Sequence, residues 1–71
     1  MPIVEITLVE GRRPDQLRTL ISKVTQACVE SVDAPVESVR VILREIPATH
    51  FAAGDVTIDE RRAQRHTAES S

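Results

Sequence analysis

The sequence predicts an α/β (α+β) fold: a short βαβ protomer with a parallel two-stranded sheet, one long helix and a C-terminal hairpin arm, completed by oligomerisation. Two runs rich in β-branched residues, 3–9 and 38–46, flank a single amphipathic stretch that begins at Pro14. Strand, long helix and strand in that order join as a parallel pair with a right-handed crossover. Size is the other observation. A chain of 71 residues makes one domain and buries only about 60% of the surface its unfolded form exposes. Two strands and one helix leave open sheet edges and an uncovered face. Small domains compensate with disulfides, metals or partner subunits. The lone Cys28 forms no internal disulfide and nothing resembles a metal cage, so partner subunits are the expected device.

Each element has its own signals. In residues 3–9, Glu5 and Thr7 interrupt one face while Val4, Ile6 and Leu8 keep the other apolar, as in a strand buried on at least one side. Glu10-Gly11 closes it, glycine permitting a sharp change of direction. Pro14 suits a first helical position, where its missing N–H is an orphan anyway, and Asp15 falls in the first turn, favourable to the helix dipole. Leu17, Leu20, Ile21, Val24, Ala27, Cys28 and Val32 recur in steps of three and four, with Arg18, Lys23, Gln26 and Glu30 off that stripe. Pro35 disfavours helical geometry at Ala34, which ends the helix near Val32 or Asp33. The second strand, 38–46, sets Val39, Val41 and Leu43 on one face and Arg40, Ile42 and Arg44 on the other. Pro47 ends it, 48–54 reads as loop, and Val56-Thr57-Ile58 as a short hairpin arm. Residues 1–58 then form the domain. Residues 59–71 carry no apolar stripe and read as a polar tail, partly disordered.

Composition excludes several function classes. With 9 Lys+Arg against 11 Asp+Glu, net charge −2 and a single aromatic residue, the chain lacks the stacking platforms of a single-strand nucleic-acid binder. It has neither a signal-peptide pattern nor an apolar run near the ~20 residues of a membrane span. No nucleic acid and no membrane are expected as partners, and the expected location is cytoplasmic.

The residues with chemical potential are few. Pro2 follows Met1 directly, and a small second residue is the usual condition for removal of the initiator methionine. Processing leaves a secondary amine on a rigid ring, a base or a carbonyl-trapping nucleophile. Arg40 is a permanent cation in an apolar strand, either bound to an anion or solvated on an open face. Arg12 and Arg13 follow the carboxyl end of the first strand, where ligands gather in open parallel sheets, or where a turn is simply solvated. Phe51, the one aromatic, serves as core, interface or site wall. Cys28 lies on the apolar stripe as an inert thiol. His50 reads as a surface-loop histidine beside Phe51, and His66 as a non-catalytic residue of the tail.

Together these residues form a pattern. Met1-Pro2-Ile3, Leu8-Val9-Glu10-Gly11-Arg12, Asp33-Ala34-Pro35, Ser38-Val39-Arg40-Val41-Ile42, Glu45 and His50-Phe51 resemble the 4-oxalocrotonate tautomerase family of the tautomerase superfamily. The resemblance covers about residues 2–54 without an evident gap. It implies βαβ protomers that pair into dimers, three of which form a homohexamer. It further implies Pro2 as catalytic base, Arg12 on the remote carboxylate of the substrate, Arg40 from a neighbouring subunit at the reacting end, and Phe51 as hydrophobic wall.

Elementary chemistry agrees with those roles. Low-dielectric surroundings and nearby guanidinium groups disfavour a protonated amine, and a base near neutrality moves protons efficiently at neutral pH. The arginines hold a carboxylate substrate by bidentate contacts and stabilise the developing dienolate. A 1,3- or 1,5-keto–enol tautomerisation of a 2-hydroxy-dienoate, such as 2-hydroxymuconate, or of a related 2-oxo acid follows, with neither metal nor cofactor. The alternatives are a Pro2-iminium enzyme that forms carbon–carbon bonds or decarboxylates, and a non-catalytic oligomeric binder of organic anions.

The sequence also departs from the family. Ala52-Ala53-Gly54-Asp55 replaces the usual Gly-Ile-Gly-Gly, which alters the hairpin or the mouth of the site. Arg13 and Arg44 are additional cations that either shift specificity or pair with Asp15 and Glu45. Ala53 stands where dehalogenase relatives carry a water-activating acid, which argues against hydration chemistry.

Overall fold

A computed structural model describes residues 1–70, with side chains described as far as Arg65. The chain runs β1 (Ile3–Val9), α1 (Pro14–Val32), β2 (Arg40–Ile46), the short strands β3 (Ala52–Ala53) and β4 (Val56–Thr57), and α2 (Ile58–Ser70). β1 and β2 pair in parallel with Ile3 opposite Arg40 and Val9 opposite Ile46, so α1 is the crossover of a βαβ unit.

α1 starts where the sequence places it. Pro14 occupies the first turn, and the Gln16 side-chain oxygen accepts the Arg13 backbone N–H at 3.0 Å. This satisfies a donor that the helix would leave orphaned. Arg13 also donates to both carboxylate oxygens of Asp15, at 3.0 and 3.3 Å, which holds the Asp15 carboxyl below its ordinary value. The helix stops at Asp33, which takes the left-handed conformation at φ 56°. Leu17, Leu20, Ile21, Val24, Cys28 and Val29 are half-buried along one stripe, as are Val4, Ile6 and Leu8 of β1 and Val41 and Leu43 of β2.

β2 begins later than the sequence suggests. Residues 36–38 form a 3-10 turn in which both the Ser38 N–H and its hydroxyl donate to the Pro35 carbonyl oxygen, at 2.9 and 2.7 Å. Local serine bonding of this kind competes with a strand ladder. Arg44 also departs from expectation. Its partner is Glu5 of β1, at 3.9 Å, rather than Glu45. Successive strand residues point to opposite faces, so Glu45 cannot meet its neighbour, whereas Glu5 shares Arg44's face.

The larger difference lies after Asp59, where the polar segment is helical. Thr57 and Glu60 cap it reciprocally: the Glu60 side chain accepts the Thr57 N–H at 2.9 Å, and the Glu60 N–H donates to the Thr57 hydroxyl at 3.0 Å. This is a capping box, which starts a helix without an apolar stripe.

Among the described residues no side chain is fully buried. The outer face of the sheet is open, with Ile3 62% and Ile42 43% exposed. The protomer exposes 5453 Å², against about 4,400 Å² for a folded chain of its mass. Its radius of gyration is 16.3 Å, against about 11 Å for a compact chain of its length. A chain of this shape and exposure needs neighbours to complete its core.

Candidate active site

Pro2 and Arg40 meet at the N-terminal edge of the parallel sheet. The Arg40 N–H donates to the Pro2 carbonyl oxygen at 2.9 Å, extending the ladder one residue before β1. Pro2 is thereby held as a half-buried residue, while Met1 projects into solvent. The Arg40 guanidinium donates to the Glu37 carbonyl oxygen at 2.8 Å, in the 3-10 turn just before its strand. That bond uses one of its five N–H groups, leaving others for an anion.

Arg12 stands at the opposite end of the sheet. The Glu10 N–H donates to the Ile46 carbonyl oxygen at 2.8 Å, and Gly11 then turns the chain with φ 123°, where a Cβ is strained. The Arg12 guanidinium donates back to the Val9 carbonyl oxygen at 3.2 Å. Seven residues of strand separate it from Pro2, about 23 Å at 3.3 Å per residue. No arginine side chain bridges that distance. A site that unites Pro2 with Arg12 therefore draws on more than one protomer.

Phe51 follows the far end of β2, after Pro47 and a 3-10 turn over Ala48–His50. It is 36% exposed and leads into the β3–β4 hairpin. Gly54 and Asp55 connect those strands with φ 60° and 67°, the two positive values of a type I′ turn, whose twist suits a hairpin. The hairpin therefore survives the loss of the family's glycines, because Gly54 remains and aspartate tolerates the left-handed region. The Phe51 carbonyl oxygen accepts the Ile58 N–H at 2.8 Å, tying the start of α2 to the aromatic residue.

The protomer thus groups Pro2 with Arg40 at one end of the sheet and leaves Arg12 at the other, with Phe51 on the arm beyond β2. Among the described residues it holds no closed pocket and no group of three or more metal-ligating side chains. Among the described residues no helix is long and apolar enough to cross a membrane. Cys28 is a half-buried free thiol on the α1 stripe. His50 is exposed, and the His66 side chain lies outside the described residues.

Sequence reasoning passed over Arg61, whose guanidinium donates to the Ala53 carbonyl oxygen at 3.1 Å. The capping motif Thr57-x-x-Glu60 was its available signal, since it opens a helix that carries Arg61 back past the hairpin.

Over residues 2–61 the sequence fits the model of a family described as tautomerase enzyme. The chain belongs to the tautomerase family. It is 50% identical over 54 residues to the 2-hydroxymuconate tautomerase of Stutzerimonas stutzeri, covering 76% of this chain and 86% of that one. Its fold matches a solved 4-oxalocrotonate tautomerase isozyme from Methylibium petroleiphilum with a TM-score of 0.86 at 32% identity, covering 89% of this chain and 98% of the other. It also matches a heterohexameric 4-oxalocrotonate tautomerase from Chloroflexus aurantiacus, with a TM-score of 0.82 at 33% identity and coverage of 84% and 97%. Within the tautomerase family the chain is a member of the 4-oxalocrotonate group, and it is an isomerase of the keto–enol type.

Proposed function

We propose that this tautomerase, once freed of Met1, moves a proton between oxygen and carbon of a 2-hydroxy-dienoate such as 2-hydroxymuconate, with Pro2 as general base. The observation that carries the proposal is the anchoring of half-buried Pro2 at the sheet edge, where its carbonyl oxygen accepts the Arg40 backbone N–H at 2.9 Å. The freed Pro2 amine, in its neutral form, takes the proton of the 2-hydroxyl group with its lone pair. The same nitrogen returns that proton to C3 or C5, so the enol O–H bond breaks, a C–H bond forms and the carbonyl appears at C2. No electrons leave the substrate.

Arg40 of a neighbouring protomer stabilises the carboxylate and the oxygen at the reacting end, where negative charge grows. Arg12, from another protomer, holds the remote carboxylate by charge-assisted bonds, and Phe51 supplies an apolar wall. Such a site assembles in a homohexamer of three dimers in the cytoplasm.

Intact-mass measurement with an enol-to-keto assay tests the reading. Loss of Met1 is expected, because the Met1–Pro2 bond makes the nitrogen an amide without a basic lone pair. Pro2→Ala removes the ring amine and is expected to lower kcat by about 10²-fold or more. Arg40→Ala is expected to cost about 10²–10³-fold. Near-normal turnover of 2-hydroxymuconate and phenylenolpyruvate by both variants overturns the proposal. Borohydride trapping of a 2-oxo acid on Pro2 would instead support iminium chemistry.

A further inference from the structure

We propose that Arg61 is a positioning residue that sets the orientation of Phe51, and so governs how the site grips its substrate. The inference rests on the reading of Phe51 as a wall of the site and goes beyond it, since Arg61 itself touches no substrate.

The geometry is a short closed frame. Phe51 enters it by accepting the Ile58 N–H at 2.8 Å. The two residues after it, Ala52 and Ala53, pair with Thr57 and Val56 across the Gly54-Asp55 turn. Thr57 is locked to Glu60 by the two bonds of the capping box. Arg61 closes the frame, its guanidinium returning to the Ala53 carbonyl oxygen at 3.1 Å, eight residues back in sequence. Every one of these bonds lies between residues 51–53 and 56–61 or within 57–61, and β3 itself has no buried side chain. Val56 and Thr57 of β4 are half-buried, so β3 is the side of the hairpin held by hydrogen bonds alone, and a two-stranded hairpin in water is marginal. Among the described residues two of the bonds that shape it are charge-assisted, the Thr57 N–H to the Glu60 carboxylate and the Arg61 guanidinium to the Ala53 carbonyl oxygen, and the second is the one that reaches β3. Such bonds are stronger than neutral pairs.

A double-mutant cycle tests the proposal, reading kcat/KM for 2-hydroxymuconate in Arg61→Ala, Phe51→Ala and the double variant, with hydrogen exchange at the Ile58 amide. Arg61→Ala is expected to lower kcat/KM about 5-fold, chiefly through KM, and to speed Ile58 exchange. In the Phe51→Ala background the same change is expected to cost less than about twofold, because coupled residues are not additive. Arg61→Lys, which retains one charged donor, is expected to recover most of the loss and keeps the test usable if the alanine variant unfolds. Equal losses in both backgrounds overturn the proposal, as does an unaltered Arg61→Ala enzyme alongside an impaired Phe51→Ala enzyme. A fully active Phe51→Ala enzyme removes the wall reading itself, and this inference with it.

Discussion

Ile42 sits mid-strand on the uncovered sheet face, opposite Glu5 and between Arg40 and Arg44. In the lone protomer it remains 43% exposed. Burying an isoleucine side chain completely is worth about 1.5–3 kcal/mol, so covering the remaining fraction contributes about 1 kcal/mol per copy. If this face closes against a second copy, Ile42→Ala alters both sides of the contact and costs about 2 kcal/mol, a weakening of the dimer of about 30-fold. Ile42→Asp is harsher. It places a carboxylate opposite Glu5 on a surface that must lose its water, and even with Arg40 and Arg44 on the same face that desolvation costs several kcal/mol. Sedimentation velocity over a dilution series, with circular dichroism on the same samples, reads both effects. The alanine variant is expected to dissociate at about 30-fold higher concentration than the parent, and the aspartate variant to sediment as a poorly folded monomer. An Ile42→Asp protein that stays assembled at every dilution refutes the reasoning, as does a folded monomeric parent.

Further predictions concern single residues. Arg12→Ala is expected to raise KM for a dicarboxylate enol by about 10–100-fold, matching the 1.5–3 kcal/mol of a charged hydrogen bond, while a monocarboxylate enol is barely affected. Steady-state kinetics on the two substrates checks this. Asp55→Val forces a β-branched side chain to φ 67° and is expected to cost about 1–2 kcal/mol in denaturant unfolding, whereas Asp55→Gly is expected to be tolerated. The Glu60 carboxyl lies below its usual 4.5, first through the Thr57 backbone N–H and then through the Thr57 side chain. Its folded value being the lower one, the bond's contribution is complete above 4.5 and fades as pH falls through the folded value. Far-ultraviolet dichroism is therefore expected to show α2 unwinding in acid, and helicity that grows on acidification contradicts it.

How much of this was legible in the sequence follows from the range of the forces involved. β1, α1 and the existence of β2 are written in apolar periodicity, which depends on residues only a few positions apart. The late start of β2 was hidden, because Ser38 bonds locally to Pro35 in competition with the ladder. α2 leaves no trace in apolar periodicity, because the Thr57-x-x-Glu60 cap starts it without an apolar stripe. The Arg13–Asp15 pair was legible from two positions of spacing. The Arg44–Glu5 pair was not, since it exists only once the parallel register is known. Pro2, Arg12, Arg40 and Phe51 stood out as residue types in a pattern, and the strand over 3–9 already sets Arg12 a whole strand away from Pro2, whereas the Arg40–Pro2 backbone bond exists only once the parallel register is known.

That separation has a genetic meaning. In the proposed site, a chain altered at Pro2 and a chain altered at Arg12 each still carry what the other lacks. Expressed together, they are expected to rescue one another wherever an intact amine from one copy faces an intact guanidinium from the other. Duplicated genes for such a protein can consequently specialise, one line keeping the amine and the other the anchor, without either product ever working alone.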